Sequence, residues 1–127
     1  MTTRRPRPAY VDDRDSITDI LSSPIDHVTV ITSRADALRG NHYHKETTQY
    51  LYMLRGRMRL TTQRPGGPVQ SVVLSEGDVI ENPPGERHAM RALEESAFMV
   101  FSRGPRAGAD FESDTYRLPV DELLEPQ

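Results

Sequence analysis

Between His27 and Arg103 the chain alternates apolar and polar residues in short runs, separated by turns rich in glycine and proline. HVTVIT (27–32) is β-branched and alternating, the pattern of a half-buried strand. QYLYMLRG (49–56) places Gln49, Leu51 and Met53 on one face, with Tyr50, Tyr52 and Leu54 on the other. GRMRLTTQ (56–63) and VQSVVL (69–74) read as two further strands, joined by the turn signal RPGGP (64–68). SEGD (75–78) is another turn, DVIENPPG (78–85) a short strand running into a proline-rich loop, and AFMVFSR (97–103) a last strand. Helical periodicity is confined to one turn at DELLEP (121–126), while ITDIL (17–21) fits one helical turn or a strand. Pro6 and Pro8 interrupt regular pairing, so residues 1–8 are expected to form an unstructured arm. Many short strands at close spacing predict an all-β barrel or sandwich with antiparallel pairing, a single domain over 9–127 with its core at about 27–103.

The 127 residues suffice for one domain with a real core. A hydrophobic fraction of 35% and a charged fraction of 28% imply a small core under a thick polar skin. A net charge of −3 leaves no electrostatic footprint for nucleic acid or a membrane surface. Arg4, Arg5 and Arg7 sit among prolines, as in a solvated tail. The absence of cysteine excludes disulfide, zinc-finger and iron–sulfur chemistry. With no long apolar run and no signal-peptide pattern, the expectation is a soluble protein of the cytoplasm.

Four histidines are present, and two of them stand one residue apart in RGNHYHK (39–45). On a strand, His42 and His44 would share a face. Both could give a nitrogen to one metal ion, and Gln49, just beyond KETT, could return an amide oxygen. Equally, H-x-H occurs by chance on strand surfaces. Downstream, GDVIENPPGERHAM (77–90) adds His88 after a rigid proline–glycine loop, whose Glu86 and Arg87 are expected to face solvent. His27 reads as a surface or satisfied core residue.

These two segments resemble the paired motifs of the cupin superfamily. The first, G-x5-H-x-H-x3–4-E-x6-G, is matched by His42, His44, Gln49 and Gly56; the second, G-x5-P-x-G-x2-H-x3-N, by Gly77, Pro83, Gly85 and His88. Gly40 lies too near His42 to be the leading glycine, Ala92 replaces the final asparagine, and Gln49 replaces the glutamate. The resemblance implies a double-stranded β-helix, or jelly-roll cupin barrel, often dimeric, with His42, His44, Gln49 and His88 as metal ligands in the barrel mouth. Such a donor set suits a divalent transition metal (Fe, Mn, Ni, Cu or Zn) and leaves positions open for a small-molecule substrate. Glutamine neutralises none of the ion's charge, so the site would attract an anionic ligand more strongly. On this reading the protein is a metal-dependent oxygenase or isomerase acting on a small oxygenated metabolite.

A second resemblance competes. DDRDSITDIL (12–21) is similar to the entry strand of cupins acting on nucleotide sugars, with Asp15 in place of a glycine. RGNHYHK matches the R-G-x-H-x-H-K of sugar 3,4-ketoisomerases and capsule-synthesis cupins at Arg39, Gly40, His42, His44 and Lys45, and ADFESDTYRL (109–118) resembles their closing segment. This resemblance implies catalysis without metal, with His42 or His44 as general base and Arg14 and Arg39 placed to hold phosphates. The arginines also suit pairing with Asp12, Asp13 and Asp15. A non-catalytic cupin that binds a small ligand is the third class left open. Tyr50 and Tyr52 are expected to pack a sheet or a dimer, and Met53, Met58, Met90 and Met99 to fill the core or line the cavity.

Overall fold

The computed structural model describes residues 3–105, 114–119 and 123, all in strands, turns or irregular segments. Apart from Leu123, the DELLEP stretch lies outside the described residues, as do residues 109–113 of the closing segment. Among the described residues twelve strands run in chain order: β1 (Thr3–Arg4), β2 (Tyr10–Asp12), β3 (Asp15–Ile17), β4 (His27–Ser33), β5 (Leu38–Tyr43) and β6 (Thr48–Arg55). They continue with β7 (Arg57–Gln63), β8 (Val69–Ser75), β9 (Val79–Asn82), β10 (Arg87–Ala92), β11 (Ser96–Arg103) and β12 (Tyr116–Arg117). Two five-stranded sheets form, in the orders β1-β9-β6-β11-β4 and β12-β5-β10-β7-β8, with every pairing antiparallel. The hairpin β2–β3 stands as a separate two-stranded sheet. This is the all-β jelly-roll barrel that the strand spacing and the motifs predict.

Alternation explains the interior. Leu51 and Met53 of β6, Met58 and Leu60 of β7, Ile80 of β9, Met90 and Ala92 of β10, and Phe98 and Val100 of β11 form one buried cluster. Met53, Met58 and Met90 are thus core residues, whereas Met99 lies on the half-buried outer face of β11. Tyr50 and Tyr52 are half-buried on the outer face of β6. Thr3 and Arg4, within the stretch expected to lack structure, pair with Ile80 and Val79. No helix among the described residues is long and apolar enough to cross a membrane.

Sequence periodicity passes over β10, although it is central to its sheet. RHAMRA has no β-branched residue, so its strand character comes from two flanking partners and not from propensity. Its pairing with β5 contains a bulge: His88 opposes His42, Ala89 opposes Gly40, and Asn41 is the extra residue between. Gly40 and Asn41 both have positive φ, 80° and 63°. A Cβ on Gly40 would lie 3.0 Å from the His88 carbonyl oxygen, so glycine lets the two strands approach where their histidines meet.

Gly40→Val should therefore destabilise the protein by roughly 2–5 kcal/mol in urea unfolding, backbone strain and overpacking together. Gly66→Ala, at φ 72° but with open space around it, should cost about 1–2 kcal/mol from backbone strain alone. Equal effects for the two would remove close packing at Gly40 from the explanation.

Candidate active site

At one end of the barrel the alternating inward positions change from apolar to polar. On β6, Gln49 precedes Leu51 and Met53; on β9, Asn82 follows Ile80; on β10, His88 precedes Met90 and Ala92. His42 enters from β5 opposite His88, and His44 follows just beyond the end of β5. All five side chains are buried. The histidine rings converge, with centroids 4.8 Å apart for His42–His44, 4.7 Å for His42–His88 and 5.2 Å for His44–His88. The motif histidines meet although their two segments are far apart in the chain.

Two backbone carbonyls define how the rings are presented. The His44 Nδ1–H donates to the Asp114 carbonyl at 2.7 Å, and the His88 Nδ1–H donates to the Glu86 carbonyl at 3.2 Å. A carbonyl only accepts, so Nδ1 holds the proton and Nε2 is the lone-pair nitrogen in both neutral rings. Such a nitrogen can take a proton or bind a metal. One donor atom from each ring lies within 4.8 Å of the others. Two bonds of about 2.1 Å to one ion span at most about 4.2 Å, so small ring rotations would let the three share it. The donor set thus fits a divalent transition metal held by His42, His44 and His88, with Gln49 nearby.

A cavity of about 200 Å³ opens beside the rings, lined by His42, His88, Gln49 and Asn82 on its polar side and by Leu51 and Phe98 on its apolar side. Arg39 also lines it, tethered by Nε to the Ser33 hydroxyl at 3.2 Å and by a terminal N–H to the Thr32 carbonyl at 2.8 Å. Arg14 is not among its lining residues. Its guanidinium grips Asp12 at 2.6 Å in the β2–β3 hairpin and holds that carboxyl below its ordinary range. His27 is exposed at the start of β4 and takes no part.

Three residues at the candidate site escape the sequence reading. Asn82 is 1% exposed, and only its position two residues after Ile80 on a strand marks it as inward. Glu86, expected to face solvent, is 3% exposed. Its carbonyl serves His88, while burial pushes its carboxyl up despite Arg64 at 3.4 Å. A proline–glycine loop gives no periodicity from which to read that burial. Asp114 is the third. Burial raises its carboxyl, but the amides of Lys45, Glu46 and Thr47, at 2.8–2.9 Å, outweigh that and hold it below the usual range. One residue thus clamps the loop after the H-x-H pair with its side chain and orients His44 with its backbone. The long sequence separation hides that link. Beside it, β12 pairs with β5, Tyr116 stacks on Tyr43 at 5.3 Å, and Lys45 lies 4.3 Å from the Tyr116 ring.

The two carboxyls predict opposite pH effects. Asp114, with its lowered value, stabilises the fold above the unfolded carboxyl range near 3.9, and that contribution is lost as pH falls through its folded value. Asp114→Asn should cost on the order of 2 kcal/mol at neutral pH, with the gap to wild type closing below about pH 4. Glu86 is raised, so its ionisation works against folding at neutral pH. Glu86→Gln should melt above wild type at pH 7 and level with it below about pH 4. Thermal melts across pH 3–8 check both signs.

Among known proteins, the family model described as Cupin matches residues 20–114. No curated protein matches the chain by sequence. Several solved structures share the fold. A dTDP-4-dehydrorhamnose 3,5-epimerase from Sulfolobus tokodaii superposes with a TM-score of 0.77 at 19% identity, over 94% of this chain and 77% of its own. QdtA, a sugar 3,4-ketoisomerase from Thermoanaerobacterium thermosaccharolyticum in complex with TDP, gives 0.75 at 20% identity, over 98% and 94%. The capsular polysaccharide assembling protein CapF from Staphylococcus aureus gives 0.67 at 22%, over 87% of this chain and 32% of that longer one. With the family model spanning most of its length, and both histidine motifs meeting at one barrel end, the chain belongs to the cupin family.

Proposed function

We propose that this protein is an isomerase or epimerase of nucleoside-diphosphate keto-sugars, with an imidazole of the His42/His44 pair as general base. The observation that carries the reading is the buried imidazole cluster beside a small, half-apolar cavity. It is supported by the R-G-x-H-x-H-K match at Arg39 to Lys45 and by the likeness to an epimerase and a ketoisomerase of nucleotide sugars. That support favours the sugar reading over a metal-dependent oxygenase, the first expectation from the cupin motifs.

The chemistry follows from the residues. A hydrogen on a carbon next to a ketone is acidic because the electron pair left behind spreads onto the carbonyl oxygen. A neutral imidazole nitrogen can remove it and return it to the neighbouring position or the opposite face. Leu51 and Phe98 exclude water around the exchanging proton. The cavity, about 200 Å³, is smaller than the roughly 300–1,000 Å³ of drug-sized ligand pockets, so only the sugar ring enters and the nucleotide stays outside. Arg39 at the lining supplies a cation for the diphosphate. Arg14, satisfied by Asp12, is left out of that role. A homodimer forms part of the reading, supported by β4, which is an edge strand among the described residues and whose Val28 and Val30 are 55% and 59% exposed.

The convergence of His42, His44 and His88 favours a second reading, in which the three rings would hold a divalent metal whose contribution would be Lewis acidity. The two readings part on one assay, turnover of TDP-4-keto-6-deoxyglucose before and after chelation, with metal content measured by mass spectrometry. The sugar reading expects turnover to survive chelation and His42→Asn or His44→Asn to lower kcat about 100-fold or more. About one equivalent of metal, with activity lost on chelation, would establish the second reading instead.

A further inference from the structure

Asn82 has a feature that packing does not explain. It is 1% exposed, and both its Nδ2 and its Oδ1 are buried without a hydrogen-bond partner. Leaving a polar group in that condition costs about 1–3 kcal/mol, and buried polar groups in native proteins are satisfied in the great majority. An apolar residue would fit an inward position next to Ile80 more cheaply. The amide is held where it lines the cavity, at the end of β9, directly across the sheet from Gln49. Two carboxamides are thus paired on neighbouring strands of one sheet, while His42 and His88 come from the other sheet.

We propose that Asn82 is a catalytic residue that donates its Nδ2–H to the ketone oxygen of the bound sugar as that oxygen becomes an enolate. The inference rests on the keto-sugar reading above. In the step, the C–H bond next to the ketone breaks and its proton passes to the imidazole nitrogen. The C–H electron pair becomes the C=C bond, and the C=O π pair moves to oxygen, giving an enolate. The charge appears on oxygen only as the proton leaves, so a donor fixed at that point stabilises the transition state more than the bound ketone. A neutral amide suits this role because it donates strongly in a dry site without protonating the imidazoles. Its Oδ1 accepts a hydroxyl of the same sugar, which uses both orphaned atoms. Gln49, paired with it, offers a second amide to the same end of the ligand.

The test uses Asn82→Leu and Asn82→Asp in the full-length protein, with TDP-4-keto-6-deoxyglucose as probe. Aspartate keeps the size and removes the N–H donor; leucine removes both polar atoms. Both variants should lose about 100-fold or more in kcat, with KM changed by no more than a few-fold. Asn82→Leu should also melt at or above the wild-type temperature, since it replaces an amide that has no partner in the free protein. Wild-type turnover with kcat retained in either variant would overturn the role of Asn82 and leave the keto-sugar reading standing. A clear fall in melting temperature for both variants would make Asn82 a structural residue and overturn the proposal likewise. A wild-type protein inert toward the probe and toward other nucleoside-diphosphate keto-sugars would overturn the reading and this inference together.

Discussion

The pairing of β5 with β10 is the constraint on which the site depends. Without the bulge at Asn41, a one-residue change of register would turn His42 out of the barrel, because strand side chains alternate faces. The positive φ angles at Gly40 and Asn41 absorb the extra residue, and the close approach at Gly40 brings His88 up against it. Asn41 is fixed in turn from the C-terminal side. Its Nδ2–H donates to the Pro119 carbonyl at 3.0 Å, and its own carbonyl accepts the Leu118 amide at 3.0 Å. The strand that presents one histidine is thereby held by the segment whose Asp114 orients the next.

The barrel is apolar along most of its length and polar at one end, and that gradient makes a site from a core. The cluster of Leu51, Met53, Leu60, Met90 and Phe98 supplies the burial that holds two sheets together. The last inward positions of β6, β9 and β10 then hold Gln49, Asn82 and His88 in a setting with little water. Polar groups placed there interact strongly with whatever enters, because competing solvent is excluded. The rigid framework pre-forms the geometry, so the imidazoles need little ordering when a ligand arrives.

Much of this was legible in the sequence. Alternation in HVTVIT, QYLYMLRG and AFMVFSR marks the strands of one sheet, and the resemblance to the paired cupin motifs, more than the spacing of His42 and His44 alone, implies the convergence that the fold produces. Periodicity failed where propensity is silent. RHAMRA has arginines where β-branched residues would announce a strand, and its identity as the centre of a sheet depends on its neighbours. Asn82 was legible only to someone asking which way a polar residue next to Ile80 must face. The burial of Glu86 escapes such counting because a loop residue has no face to count from. Asp114 was hidden by long-range topology, since nothing local tells an aspartate near the chain's end that three amides await it.

Solvent exchange tests the central claim most directly, that these imidazoles move a proton next to a ketone. The chelated protein is incubated in D2O with TDP-4-keto-6-deoxyglucose, and the proton NMR signals of the carbons flanking the carbonyl are followed. The account predicts loss of one such signal at a rate far above the protein-free control, abolished when His42 and His44 are both replaced by asparagine. Exchange no faster than in the protein-free control, or equally fast in the doubly substituted protein, would contradict it.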